Sequence, residues 1–172
     1  MSEIITKENF IDGKYDVFKK FHQQLAVVSV GGEEDFRCMT IGWGMMGNIW
    51  GHPGSALSVY VSPSRHTCEL MQKEEYFVVS FFPEEYKEDV ITLGKYSSRD
   101  GDKVSRTKLH KKVLEKGIGF EEAELTFVCR KLCAQQFDPA LCPENIQKNV
   151  YTIIEPHYMF IGGIEDAFGE VK

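Results

Sequence analysis

Residues 42–47 read Gly42-Trp43-Gly44-Met45-Met46-Gly47, the G-x-G-x-x-G spelling of a dinucleotide-binding turn. That spelling has meaning only between a strand and a helix whose N-terminus faces a pyrophosphate. The strand side is satisfied, because residues 36–41 are bulky and read as extended. The helix side is not. Asn48, Ile49, Trp50, Gly51, His52, Pro53 and Gly54 follow, a run with too many breakers for a helical turn. No βαβ repeat comes after it, so a Rossmann unit is excluded and the glycines are expected in a loop that holds something else.

A better anion site lies some twenty residues on. The apolar run 56–61 leads into Ser62-Pro63-Ser64-Arg65-His66-Thr67, and Cys68-Glu69-Leu70-Met71 then reads as a helix opening. Hydroxyls at a helix start, free backbone N–H groups and a guanidinium fork together suit a phosphate. The plain alternative is a capped helix with a solvated arginine. A second polar loop, residues 94–103, offers cations and hydroxyls to the same anion, Lys95 and Ser97 among them. Taken alone it is a surface loop whose charges nearly cancel. His157, between Pro156 and Tyr158, titrates near neutrality and so permits a redox or proton role. No G-x-S-x-G elbow, H-E-x-x-H pair or P-loop occurs. The five cysteines lack metal-ligand spacing, and Cys129 and Cys133 read as small buried hydrophobes.

Composition bounds what these residues can serve. A chain of 172 residues with 42% hydrophobic and 27% charged content is expected to form one globular domain over residues 1–172. A net charge of -6 argues against sequence-independent nucleic-acid binding. The start lacks a signal-peptide pattern, and no apolar stretch is long enough for a membrane span; a cytoplasmic location is the expectation.

The elements that must position these residues are mostly strands. Strand-like runs fall at 25–30, 36–41, 56–61, 76–82, 125–132, 150–154 and 158–164, the first two joined by a hairpin-type turn at 31–35. Short helices are expected near 65–74, 84–93 and 143–149. Many strands without βαβ alternation predict a mainly β barrel or sandwich with short helices.

The ordered set of motifs resembles the flavin reductase-like family, which includes flavoredoxin. Met39-Thr40-Ile41-Gly42-Trp43-Gly44 with Gly47 through Pro53 is similar to its first motif, and Val61 through Thr67 to its second. Residues 77–86, the loop 94–103, Cys129-Arg130-Lys131-Leu132 and residues 157–162 extend the match over roughly 17–168. The resemblance implies an FMN-binding split β-barrel, usually a homodimer with flavin near the subunit interface. It implies that Met39, Thr40, Ile41, Gly42 and Trp43 lie against the isoalloxazine ring. Ser62, Ser64, Arg65 and Thr67 would hold the phosphate and ribityl end, with Lys95 and Ser97 beside them. His157 and Phe168 would border the ring. The chain departs from the family pattern at Arg37, where asparagine is common, and at Ser62, where arginine is common; Tyr96 and Ser98 also depart, and Lys95 sits one place early. The implied activity is electron transfer from NADH or NADPH through FMN to an acceptor. The alternative is an FMN electron carrier reduced by a redox protein partner, and a third reading is a barrel that has lost its flavin.

Overall fold

A two-residue link sets the shape of this molecule. The structure is a computed structural model that describes residues 2–50 and 55–171. Its main sheet contains β1 (Glu3–Ile5), β2 (Ala26–Val30), β3 (Arg37–Ile41), β4 (Gly44–Asn48), β5 (Ser55–Val61), β6 (Tyr76–Phe81), β9 (Leu125–Gln136) and β10 (Tyr158–Val171). A small hairpin of β7 (Lys111–Val113) and β8 (Ile118–Phe120) stands apart. The strand order is β3-β2-β6-β9-β10-β5-β4, with β1 also on β10, and every pairing among the described residues of this sheet is antiparallel. The end strands β3 and β4 are separated in sequence only by Gly42 and Trp43. Six interstrand spacings would hold the edges of a flat sheet roughly 29 Å apart, whereas three Cα–Cα steps from Ile41 to Gly44 reach about 11 Å at most. The sheet must roll until its edges meet. No ladder joins β3 to β4 among the described residues, so the result is a split β-barrel.

Two long strands make the bend. β9 and β10 run side by side with register shifts between Ile161 and Gly162 and between Ile164 and Asp166. At Gly162 a Cβ would lie 2.5 Å from the Phe77 ring and 2.6 Å from Cys129 Cβ, so only glycine lets the strand pass that close.

The rolled sheet is buried on both faces. Alternation along β2 sends Ala26, Val28 and Val30 into the barrel with Val59, Phe81 and Phe127, while Val27 faces an outer layer with Cys38, Val90, Leu93 and Phe120. Ser29, on the outer side, donates its hydroxyl to the Ile118 carbonyl at 2.6 Å, which satisfies a fully buried polar group. The outer layer is carried by α3 (Lys87–Lys95), whereas α2 (His66–Lys73) adds Cys68, Leu70 and Met71 to the barrel cluster; both helices pack on β3. A fourth helix, α4 (Glu144–Asn149), lies in the excursion between β9 and β10.

At the N-terminal side α1 (Val17–Lys19), capped by the Asp16 carboxylate accepting from the Lys19 N–H, continues into a wide π turn, Lys20–Gln24. Lys20 forms a buried ion pair with Glu124, and Gln24 Nε2 donates to the same carboxylate at 3.0 Å. The turn drives Phe21 edge-on against Phe81, with ring centroids 5.3 Å apart. Phe21 also explains the glycine run. A Cβ at Gly44 would sit 2.2 Å from the Phe21 ring, and one at Gly42 3.2 Å from Leu25, whereas a Cβ at Gly47 would meet nothing within 4 Å. Two of the three glycines are there for close packing, and the third is under no packing demand.

The expected strands at 25–30, 36–41, 56–61, 76–82, 125–132 and 158–164 are present with shifted ends, as are the three helices and the 31–35 hairpin. The expected loop over the glycines is instead strand β4, paired with β5 from Gly44↔Val59 to Asn48↔Ser55; Gly51, His52, Pro53 and Gly54 lie outside the described residues. The expected strand at 150–154 is a turn. Val150, Ile153 and Ile154 make helix-like backbone bonds that follow α4, and Pro156 then breaks the run.

Candidate functional site

A cavity of about 500 Å³ opens where the barrel is split, within the range of ligand sites. The end of β3 and the Gly42–Trp43 link form one wall; the 62–67 segment entering α2 forms the second. The polar loop after α3 forms the third, and Tyr60, Ile154 and His157 complete it. No aspartate or glutamate stands among the described residues that line it, although the chain holds 26 of them. Arg65, Arg99 and Lys103 all do.

The cationic end is built by backbone anchors. The Arg65 N–H donates to the Ser62 carbonyl at 3.0 Å, a turn that places the Ser62 and Ser64 hydroxyls 2.9 Å apart on the wall. Helix α2 starts directly after Arg65 with no side-chain cap, so neither serine hydroxyl is spent on capping, contrary to the capped start that the sequence suggests. Arg65 Nη1 reaches the Gly94 carbonyl at 3.4 Å. Arg99 donates to the Ser64 carbonyl at 3.3 Å and pairs with Glu69, which stitches the α3 loop to the α2 entrance. Arg37 is not part of the wall: it donates to the His66 carbonyl at 2.9 Å and lies 3.7 Å from Glu69, holding α2 from outside. His66 Nδ1 is buried at the wall without a partner among the described residues, and burial, then Arg37 and Arg99, holds that imidazole below its usual pKa.

The opposite end is aromatic. Trp43, 46% exposed, lies over the His157 ring with centroids 4.7 Å apart and planes tilted by 34°. His157 Nδ1 is 3.1 Å from the Glu155 carbonyl, so Nδ1 carries the proton and Nε2 is the acceptor in the neutral ring. Burial pushes its pKa down, outweighing the upward pull of that hydrogen bond, and Arg65 adds a smaller downward contribution. Tyr60 stacks on Phe137 at 5.6 Å beside it.

Most residues singled out in the sequence meet at this cavity: Met39, Thr40, Ile41, Gly42 and Trp43 on one wall, Ser62, Ser64, Arg65 and Thr67 on the next, then Ser97 and His157. Three of their side chains are committed elsewhere. Ile41 belongs to the barrel core. The Thr40 hydroxyl donates to the Val90 carbonyl, and the Thr67 hydroxyl to the Cys38 carbonyl at 3.1 Å, so both threonines pin helices to β3. Two expected residues are not at the cavity. Lys95 ends α3 exposed and does not line it. Phe168 lies far along β10 from the His157 end and lines a separate cleft, under the Lys112 ammonium. Tyr60 is a wall residue that the motif reading did not single out, whereas Tyr96, Ser98, Arg99 and Lys103 come from the polar loop 94–103 that the sequence offers to the anion.

The flavin reductase-like domain model matches residues 18–168, a segment that contains every lining residue of the cavity. The chain belongs to the flavin reductase-like family. No curated protein matches it in sequence. Among solved structures it is similar to a flavoredoxin from Methanosarcina acetivorans (19% identity, TM-score 0.65, covering 85% of this chain and 68% of that one). It is also similar to an FMN-binding protein from Thermus thermophilus with bound 1-cyclohex-2-enone (23%, TM-score 0.67, 91% and 76%). An NADH:FAD oxidoreductase from Streptomyces globisporus aligns too (16%, TM-score 0.65, 88% and 78%). At these identities the likeness is one of fold. The donor set of the cavity fits a flavin mononucleotide: cations and hydroxyls without carboxylates at one end, backbone and aromatic rings at the other.

Proposed function

We propose that this protein is an FMN-binding oxidoreductase that passes electrons from NADH or NADPH through flavin to an acceptor. The observation that carries the reading is the carboxylate-free cavity, cationic at one end and aromatic at the other, inside a family-matched segment. Bound FMN would supply hydride acceptance and onward electron transfer. The chain's own residues do the rest. Arg65, Ser62 and Ser64 would hold the phosphate through charge-assisted hydrogen bonds. Trp43 and the Gly42 backbone would lie against the ring. His157, neutral at pH 7 with Nε2 free to accept, would orient a donor or take a proton at that atom.

The apolar shelf of Trp43, Met45, Tyr60 and Phe137 next to the ring end suits a second copy, and the reading includes a homodimer with this shelf at its contact. Light scattering on the purified protein checks that part. No helix among the described residues is long and apolar enough to cross a membrane, and a cytoplasmic location belongs to the same reading.

The test begins with colour. The protein should be yellow as isolated, or become so with added FMN, and the released flavin should be FMN. Anaerobic NADH or NADPH should then bleach the flavin absorbance. Failure of both, with fast bleaching by a reduced ferredoxin-like protein, would replace the reductase with an electron carrier. A colourless protein that refuses FMN would end the flavin reading.

A further inference from the structure

The backbone is strained at Leu25, where the π turn Lys20–Gln24 hands over to β2. Its φ of 67° and ψ of 166° fall in a region that glycine alone enters freely. Among the described residues other than glycine, only Leu25 and Trp50 have φ in the left-handed range. Trp50 is exposed, whereas Leu25 is packed against the outer layer. The conformation is held from both sides. Lys20 and Gln24, at the two ends of the turn, bind the one carboxylate of Glu124. Ala26, the next residue, pairs with Ile41 on one side and Phe81 on the other. Leu25 therefore cannot relax without disturbing a buried ion pair or the first rung of two ladders.

Such a backbone asks for glycine, so a leucine here needs a use for its side chain. The register supplies one. Ala26 stands across from Ile41, and one step further Leu25 comes level with Gly42, the first residue of the link between β3 and β4. A Cβ at Gly42 would lie 3.2 Å from Leu25 Cδ2 and 3.6 Å from the Phe21 carbonyl oxygen. The isobutyl group thus fills the space that a side chain at position 42 would need. The π turn and the residue after it support both ends of the link, with Phe21 against Gly44 and Leu25 against Gly42. Gly42 and Trp43 line the cavity, whereas Leu25 does not.

We propose that Leu25 is a positioning residue for the ring end of the cavity: its forced backbone seats the isobutyl group against Gly42 and fixes the Gly42–Trp43 link where it meets the flavin ring. The inference rests on the FMN reading and goes beyond it by naming a residue that acts on the ring without touching it.

The experiment compares Leu25→Ala, Leu25→Gly and Leu25→Met with wild type in urea unfolding, fluorescence titration with FMN and absorbance of the bound flavin. Alanine keeps the strain and removes the support, glycine removes both, and methionine keeps a side chain of similar volume. Glycine should be at least as stable as alanine, the reverse of their order at an ordinary strand position. Both should weaken FMN binding about threefold to tenfold, the range of one aromatic contact, and shift the flavin bands. Methionine should leave affinity and bands close to wild type. An alanine variant more stable than the glycine variant would remove the strain and overturn the proposal. So would truncations that lower stability but leave FMN affinity and the flavin bands unchanged, since Leu25 would then be an outer-layer packing residue. Should wild type bind no flavin, the FMN reading fails instead, and near-UV circular dichroism of the flavin-free protein becomes the readout. In a Trp50→Phe background Trp43 is the one tryptophan left. Its band should change in the alanine and glycine variants and persist with methionine; a band that none of the three alters would remove the positioning role.

Discussion

The two ends of the cavity are held in different ways. At the cationic end every charged group is tied to backbone: Arg65 to the Gly94 carbonyl, Arg99 to the Ser64 carbonyl, Lys103 to the carbonyls of Leu93 and Tyr96. At the aromatic end a single backbone anchor, His157 Nδ1 to the Glu155 carbonyl, supports a pair that otherwise meets by ring contact, and Trp43 is half exposed. The difference suits a ligand whose phosphate stays fixed while its ring meets a changing partner. Rigid donors recognise one geometry with little ordering cost on binding, whereas a tilted aromatic pair can re-stack at the cost of about 0.5–1.5 kcal/mol.

The comparison can be broken at its strong end first. Arg65→Ala should weaken FMN binding by about 1.5–3 kcal/mol, the worth of a hydrogen bond to a charged group, with the melting temperature nearly unchanged. Unchanged affinity in a fluorescence titration would move the phosphate elsewhere. Gly44→Ala tests what the aromatic end stands on. The new Cβ would meet the Phe21 ring at 2.2 Å, so a loss of about 1–3 kcal/mol is expected in urea unfolding, while Gly47→Ala should change stability by no more than about 0.5 kcal/mol. Equal effects at the two glycines would contradict the packing account of the motif.

Trp43→Ala should weaken flavin binding by about 0.5–1.5 kcal/mol and shift the flavin absorbance bands; a silent spectrum would count against ring contact. The smallest effect concerns pH. The folded-state pKa of His157 lies below the ordinary 6.5, so as pH falls through 6.5 the unfolded chain binds a proton before the folded one. Stability is therefore lost on the acid side and is unaffected above it. His157→Gln should make that acid slope shallower in pH-dependent unfolding; His66, shifted in the same direction, keeps the remainder.

Much of the frame was legible because hydrophobic alternation and turn residues act locally. β2, β3, β5, β6 and β10 are apolar runs between breakers, and Ser62 through Thr67 announces a strand end followed by a helix. β4 was hidden, since Gly44, Met45, Met46, Gly47 and Asn48 carry little strand propensity of their own and pair because β5 offers an edge. The run at 150–154 has strand-like residues but no partner strand, and it remains a turn. Lys103 fell within the polar loop offered to the anion, but nothing local marked it as buried. Its ammonium is held by carbonyls ten and seven residues back, at the end of α3, and a lysine in a polar loop reads as solvated. Lys95, the lysine closer to the family spacing, ends α3 on the outside.

The Gly42–Trp43 link joins strands that stand at opposite ends of the hydrogen-bonded path. The wall it forms can exist only after the intervening strands have all been laid down and the sheet has rolled shut. A partly assembled barrel has the 62–67 turn but no cavity, so a ligand here distinguishes the finished molecule from every incomplete one. Its binding free energy should therefore be shared by the whole cooperative unit, raising protection from hydrogen exchange as far away as the centres of β9 and β6, according to its concentration over its dissociation constant.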